Sequence, residues 1–153
     1  MPPIQIRAAA PADVPEIVAL IRALAEYEKA APGALTLTDE LLHNSLFGPN
    51  PAVEALIAEW GDQMAGYALF FHNFSSWRGQ RGLFLEDLFV RPELRGRGIG
   101  KALFAELRRI ARERDCARME WIVLDWNQTA IAFYRSLGAE PLDGWTVFRL
   151  NLA

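Results

Sequence analysis

One cysteine, Cys116, stands among 153 residues. It can close no disulfide within the chain, and no thiolate cluster exists for zinc. Histidine is nearly as scarce. His43 and His72 are isolated in the sequence and read as structural or solvated side chains. No run approaches the ~20 apolar residues of a membrane-spanning helix. Excess charge of one sign is missing too: 16 Lys and Arg against 19 Asp and Glu leave a net charge of −3. That balance points away from a general binder of nucleic acid or membrane surfaces. The opening MPPIQIR has no long apolar stretch of the secretory kind, so the expected location is cytoplasmic. Low-complexity tracts and internal repeats are also absent.

What is present suits one soluble domain over residues 1–153. The composition, 52% apolar and 23% charged, allows a real core. IQIR at 4–7 reads as a strand. The stretch 12–30 has apolar residues at Val14, Ile17, Ile21 and Leu24, a helical spacing. Asp13 and Glu16 have the spacing of a capping box, with Pro15 tolerable in the first turn. Thr38 can cap a helix over 39–47, and GPNP ends it. Residues 52–60 and 63–74 predict two strands around the turn Gly61-Asp62, and 75–82 reads as a polar loop. LFLEDLFV at 83–90 is a fourth strand and 117–124 a fifth. Residues 100–115 are the clearest helix, with Leu103, Leu107 and Ile110 in line behind Ile99 and arginines opposite. Arg108, Arg109, Arg112 and Arg114 read as a solvated face. Asn127 and Gly138 bracket a further helix, and WTVFRLN at 145–151 predicts a last strand. The order β-α-α-β-β-β-α-β-α-β implies a mixed sheet with helices on its faces.

Between the fourth strand and the long helix lies R-G-R-G-I-G. It is no Walker A loop, because Arg95 stands where the first glycine is required and Ala102 replaces the hydroxyl. It is no dinucleotide fingerprint either, because Lys101 takes the third glycine position. The first amides of a helix lack partners and that end is partly positive. Glycines remove the Cβ atoms that would block approach, so a pyrophosphate can lie on bare N–H groups. Arg95 and Arg97 can add charge-assisted contacts. A plain surface turn is the competing reading.

VRPELRGRGIGKAL resembles the acetyl-coenzyme A binding motif of the GNAT N-acetyltransferases, Arg/Gln-x-x-Gly-x-Gly/Ala. WNQTAIAFYRSLGAE is similar to that family's later segment. The stretch IRAAAPADVPEIVALIRALAEYE, with SSWRG and LEDLFV, resembles its diamine (spermidine/spermine) and thialysine branch. The resemblance implies an α/β (α+β) GNAT acyl-CoA N-acyltransferase fold. Its sheet would be mixed and mostly antiparallel, with strands 4 and 5 splayed and helices flanking. Acetyl-coenzyme A would be the co-substrate, with no metal. Leu88, Phe89 and Val90 would offer main-chain groups to the pantetheine arm, as a strand edge captures a peptide. Arg95, Gly96, Arg97, Gly98, Ile99, Gly100 and Lys101 would hold the pyrophosphate. Asn127, Ala130 and Tyr134 would face the cofactor from the second helix.

Tyr134 also matches the family tyrosine that acts on the leaving thiolate. A thiol near ~8.5 and a phenol near ~10 make hydrogen bonding to the thiolate easier than full proton transfer. Packing alone is the plainer reading of a Phe-Tyr pair.

An acceptor amine with a lysine-like pKa near ~10.4 needs about 4–5 kcal/mol to be freed of its proton at pH 7. A group must take that proton, directly or through water. Alternation puts Glu86 and Asp87 on opposite faces of the fourth strand. The resemblance implies that Glu86 faces substrate as base or relay anchor; a salt bridge at a strand end is the alternative. A carboxylate about 4 Å from an ammonium attracts it by roughly 4 kcal/mol at an effective dielectric near 20. That holds a distal cation but opposes deprotonation of the reacting nitrogen. The resemblance gives Tyr27, Glu28 and Asp143 to the substrate pocket beside Asp87. Trp77 stands in a loop where an aromatic can cover the slot or simply act as a hydrophobic lid. Asp143 is a methylene shorter than the family glutamate, and the chain stops soon after the last predicted strand. Thialysine-like and other small amines therefore stay open beside polyamines.

The expected activity is N-acetylation of a small primary amine by direct attack in a ternary complex. Cys116, away from the motif, makes an acetyl-cysteine route unattractive. A protein amino terminus or lysine as acceptor, a coenzyme A binding module without turnover, and a purely structural protein are the competing readings. The family also implies a homodimer.

Overall fold

The computed structural model describes residues 1–152. Contacts divide the chain into two compact units, Met1–Ile122 and the remainder from Val123. The first holds β1 (Ile4–Ala8), α1 (Val14–Tyr27), α2 (Asp39–Phe47), β2 (Glu54–Trp60), β3 (Gln63–Ser75), β4 (Gln80–Val90), α3 (Ile99–Glu113) and β5 (Met119–Trp121). The strands form one sheet in the order β1-β2-β3-β4-β5. The first four pair antiparallel and β4 pairs β5 in parallel. The expected mixed, mostly antiparallel sheet with flanking helices is the one present.

Each face is sealed by apolar stripes. Val14, Ile17, Val18 and Leu20 of α1, with Leu42 and Leu46 of α2, pack on Ala55, Ile57, Met64, Tyr67, Leu69 and Phe89. In α3, Ile99, Leu103, Phe104, Leu107 and Ile110 are buried. Ile17, Ile57, Leu103 and Leu107 are each 0% exposed, and fully burying such a side chain contributes about 1.5–3 kcal/mol. Two of the arginines expected on a solvated face, Arg109 and Arg114, are ion-paired. Arg109 bonds Glu106 and Glu113, and Arg114 bonds Glu54. His72 is structural: one ring nitrogen bonds the Gly82 carbonyl at 2.9 Å and the other meets the Arg114 guanidinium at 2.9 Å.

Several local expectations need correction. Asp13 does not form a capping box with Glu16. Its carboxylate receives two hydrogen bonds from Arg7 and one from the Ala10 amide, while Glu16 pairs with Arg91. A guanidinium fork outcompetes a helix amide for a carboxylate. Half of the expected loop 75–82 is strand: β3 runs through Ser75 and β4 begins at Gln80, with a turn at 76–79 between them. The fifth strand is three residues long rather than eight.

In the unit from Val123, α4 (Gln128–Ser136) begins under a cap in which Asn127 Oδ1 accepts from the Ala130 amide at 3.2 Å. Gly138, at φ 91°, ends it. The predicted last strand does not form: residues 139–152 carry neither helix nor strand. Trp145, Phe148 and Leu150 are 71%, 92% and 85% exposed. A strand exists only where a neighbour completes its ladder.

Candidate active site

The site grows from an irregularity in β4. Across the β3–β4 ladder Leu69 faces Asp87 and Phe70 faces Leu85, so Glu86 is the extra residue of a bulge. A bulge breaks the two-residue alternation and re-aims side chains. Glu86 and Asp87 therefore do not diverge to opposite faces as alternation predicts. Asp87 shares the α1 face with Leu69, and Glu86 lies close enough to add its charge to both Asp87 and Glu28.

Glu28 comes from the end of α1. The Ala30 amide donates to the Ala25 carbonyl and the Lys29 amide to the Glu26 carbonyl. Lys29 takes φ 59°, the left-handed conformation usual after a helix end but uncommon for a side chain with Cβ. This tight stop sets Tyr27 and Glu28 over the sheet.

Three carboxylates thus share one region, and burial shifts two of them, Glu28 and Asp87. Burial pushes Glu28 above the usual carboxylate range, with the Glu86 charge adding to it. Burial likewise pushes Asp87 up to about 6, opposed by its hydrogen bond from Tyr67 and reinforced by Glu86 and Glu28. The bond from Tyr67 Oη to Asp87 Oδ2 is 3.0 Å long. The Tyr67 phenol, buried and facing these anions, is pushed far above its ordinary value.

Parallel pairing of β4 with β5 stops at Leu85 opposite Trp121. From Glu86 to Val90, β4 keeps β3 on one side and leaves its other edge without a strand partner. That opening contains Leu88, Phe89 and Val90. The Val90 carbonyl accepts from Arg95 Nε at 2.9 Å. The Arg95 guanidinium lies over the rings of Tyr27 and Phe89, at 5.1 and 5.4 Å. Arg95 therefore gives its main chain to the glycine turn while its side chain ties the end of β4 to α1. Arg97 stacks over Trp60 at 5.3 Å.

Gly98 is the cap residue of α3 at φ 84°, and Gly96 has φ 77°. Both conformations favour glycine. A Cβ at either would meet nothing within 4 Å, so the main chain there stands open. The α3 ladder starts with the Ala102 amide donating to the Gly98 carbonyl. The amides of Ile99, Gly100 and Lys101 come before it and have no helical acceptor. This open main chain fits a diphosphate.

Trp77 does not join this group. Trp77 is 87% exposed in the turn that closes the β3–β4 hairpin. The strand between it and Glu86 spans about 20 Å, at ~3.4 Å per residue. Asn127, Ala130, Tyr134 and Asp143 belong to the unit from Val123. There Tyr134 packs on Phe133 with ring centroids 5.5 Å apart. Asn127 spends its side-chain oxygen on the α4 cap, and Asp143 is exposed beyond the helix. Burial pushes the Cys116 thiol up, so it is held protonated and is a poor nucleophile. Tyr67 escaped the sequence reading because a tyrosine inside GYALFF looks like core. Its hydroxyl partner emerges only from the β3–β4 register.

A profile of the acetyltransferase (GNAT) family matches residues 17–139. A thialysine N-epsilon-acetyltransferase of Sus scrofa is 38% identical over 162 residues, spanning 99% of this chain and 94% of that protein. Spermidine/spermine N(1)-acetyltransferase-like protein 1 of Homo sapiens is 39% identical over 157 residues, spanning 96% of this chain and 22% of that longer protein. Among solved structures, the integron cassette protein VCH_CASS6 from the V. cholerae mobile metagenome aligns with a TM-score of 0.78 at 25% identity. The alignment covers 97% of this chain and 92% of that one.

Proposed function

The chain belongs to the acetyltransferase (GNAT) family and is an N-acetyltransferase, and from that premise we propose that it acetylates a primary amine of a small polyamine or lysine-like substrate. Direct attack in a ternary complex is the mechanism this reading carries. The observation that supports it most is the carboxylate group Glu28, Glu86 and Asp87 beside the unpaired edge of β4. A cationic acceptor and a thioester carbon need to meet at such a place. The relatives' printed names, thialysine and spermidine/spermine acetyltransferases, agree with that chemistry.

Acetyl-coenzyme A, which the family uses, supplies an activated acyl thioester. In our reading the open main chain at Gly96, Gly98 and the first turn of α3, through Lys101, holds its diphosphate. The β4 edge at Leu88, Phe89 and Val90 holds the pantetheine amides. Arg95 and Arg97 contribute through that main chain, with their guanidiniums engaged on Tyr27, Phe89 and Trp60. Asn127, Ala130 and Tyr134 serve the cofactor from α4, and Tyr134 hydrogen-bonds the departing thiolate. Glu86 takes the ammonium proton, directly or through one water. Glu28 and Asp87, with Tyr27, anchor a second, distal cation. This division keeps the strongest attraction away from the nitrogen that must lose its proton. Trp77 does not reach the Glu86 region along its own hairpin.

The exposed apolar stretch 145–152 supports a homodimer. An exposed apolar stretch of this kind invites association, and a second copy of the same stretch is the partner we propose. The chain then works in the cytoplasm as one catalytic domain.

The test is a panel assay. Pure protein and acetyl-coenzyme A are incubated with thialysine, spermidine, putrescine, lysine, an aminoglycoside and short peptides, and thiol release is followed. Release with the small diamines and lysine analogues is expected. Release with peptides alone would replace this reading by a protein acetyltransferase, and binding without release by a coenzyme A module.

A further inference from the structure

Asp87 is a half-buried carboxylate with two anionic neighbours. The titratable groups facing it are Tyr67 from β3, Glu86 from its own strand and Glu28 from the end of α1. Arg95, beyond the end of β4, is engaged with the rings of Tyr27 and Phe89 and with the Val90 carbonyl. Among the described residues, the one hydrogen bond made to Asp87 is the 3.0 Å bond from Tyr67 Oη to Oδ2. Tyr67 is 0% exposed. Its ring lies 6.3 Å from that of Phe89 and is packed among α1, β2 and β3. The hydroxyl therefore has little freedom to turn elsewhere.

A carboxylate removed from water is held ionised by hydrogen bonds or by a cation. Here one neutral donor, fixed by the core, supplies the former. The latter is left for something that arrives. No three His, Cys, Asp or Glu side chains among the described residues stand close enough to share a metal ion.

We propose that Tyr67 is a positioning residue for the acceptor amine. Its hydroxyl grips Asp87 Oδ2 from inside the core and leaves Oδ1 as the preformed acceptor for the substrate's distal ammonium. The inference rests on the acetyltransferase reading above for the identity of that cation. It adds to that reading the residue that sets the geometry and ionisation of the anchor.

The variant Tyr67→Phe deletes one oxygen and keeps the ring. Two measurements are made on the full chain. The Asp87 carboxyl is titrated by carbon NMR. Spermidine and thialysine binding to the coenzyme A-saturated protein is measured by calorimetry at pH 6 and pH 9. The Asp87 inflection, expected at about 6 in the parent, rises by roughly one unit in the variant because a bond to the charged form is gone. Amine affinity falls about fivefold at pH 6, where the ionised fraction of Asp87 drops from about a half to about a tenth, and by less at pH 9, where Asp87 is ionised in both proteins, while coenzyme A affinity stays within twofold. Asp87→Asn loses the pH dependence of amine binding. An unmoved inflection together with amine affinity within twofold of the parent overturns the proposal, whether or not acetyl transfer occurs. Failure of every amine to release thiol overturns the acetyltransferase reading instead, and the titration and the calorimetry still decide the role of Tyr67.

Discussion

Asp87 stands opposite Leu69 across the β3–β4 ladder, whereas its neighbour Glu86 stands opposite nothing. The extra residue in β4 brings both carboxylates into range of Glu28 at the end of α1. A regular strand would have sent one of them away. The acidic group is thus a product of sheet irregularity as much as of residue type.

Glu86→Gln preserves size and removes the base. A positioned general base contributes typically 10²–10⁴-fold, so kcat/KM for thialysine or spermidine falls by about 100-fold at pH 7. The loss resides in kcat. It shrinks as pH rises toward ~10, where the amine is already free of its proton. A pH-rate profile of both proteins checks this. A deficit that stays constant with pH contradicts the assignment.

Asp87→Asn stabilises the protein at pH 8 and not at pH 4. Folding raises the Asp87 pKa from 3.8 to about 6. Between those values the folded state binds the extra proton, so stability is gained as pH falls through that window, and above about 6 the buried charge opposes folding. Two pH units correspond to about 3 kcal/mol as a ceiling, and partial exposure brings the expected gain to about 1–2 kcal/mol. Urea denaturation at the two pH values measures it. The same variant binds amines more weakly, a trade of function against stability.

Gly98→Ala places a Cβ at φ 84° in open space. The strain costs about 1–2 kcal/mol of stability. The added methyl also occupies the approach to the first amides of α3. Acetyl-coenzyme A affinity falls at least tenfold by calorimetry. Unchanged affinity removes the glycine turn from the cofactor site.

Phe148→Lys converts a dimer to a monomer in light scattering coupled to size exclusion. The side chain is 92% exposed, so the substitution disturbs little within one chain. A parent that is itself monomeric at all concentrations contradicts the proposed pairing.

The sequence already carried much of this architecture, and the exceptions share a cause. The Gly61-Asp62 hairpin, the strand–glycine–helix succession at 83–113 and the Asn127 cap are local, set by turn chemistry and helical period. The bulge at Glu86 left no local mark, because Glu-Asp in an apolar strand reads as plain alternation. Asp13 was drawn from its capping role by Arg7, and pairing across an element cannot be read from spacing. The stretch 145–152 has β character, but a ladder needs a partner and periodicity cannot supply one. Tyr67 looked like core and is core. Only register showed that its hydroxyl ends at a carboxylate.

The most direct test combines thiol release with mass analysis of the amine after incubation of pure protein, acetyl-coenzyme A and thialysine or spermidine. The account predicts singly acetylated amine in amounts equal to the thiol released, and loss of both in Glu86→Gln at pH 7. Thiol release without acetylated amine, or acetylated amine undiminished in that variant, contradicts it.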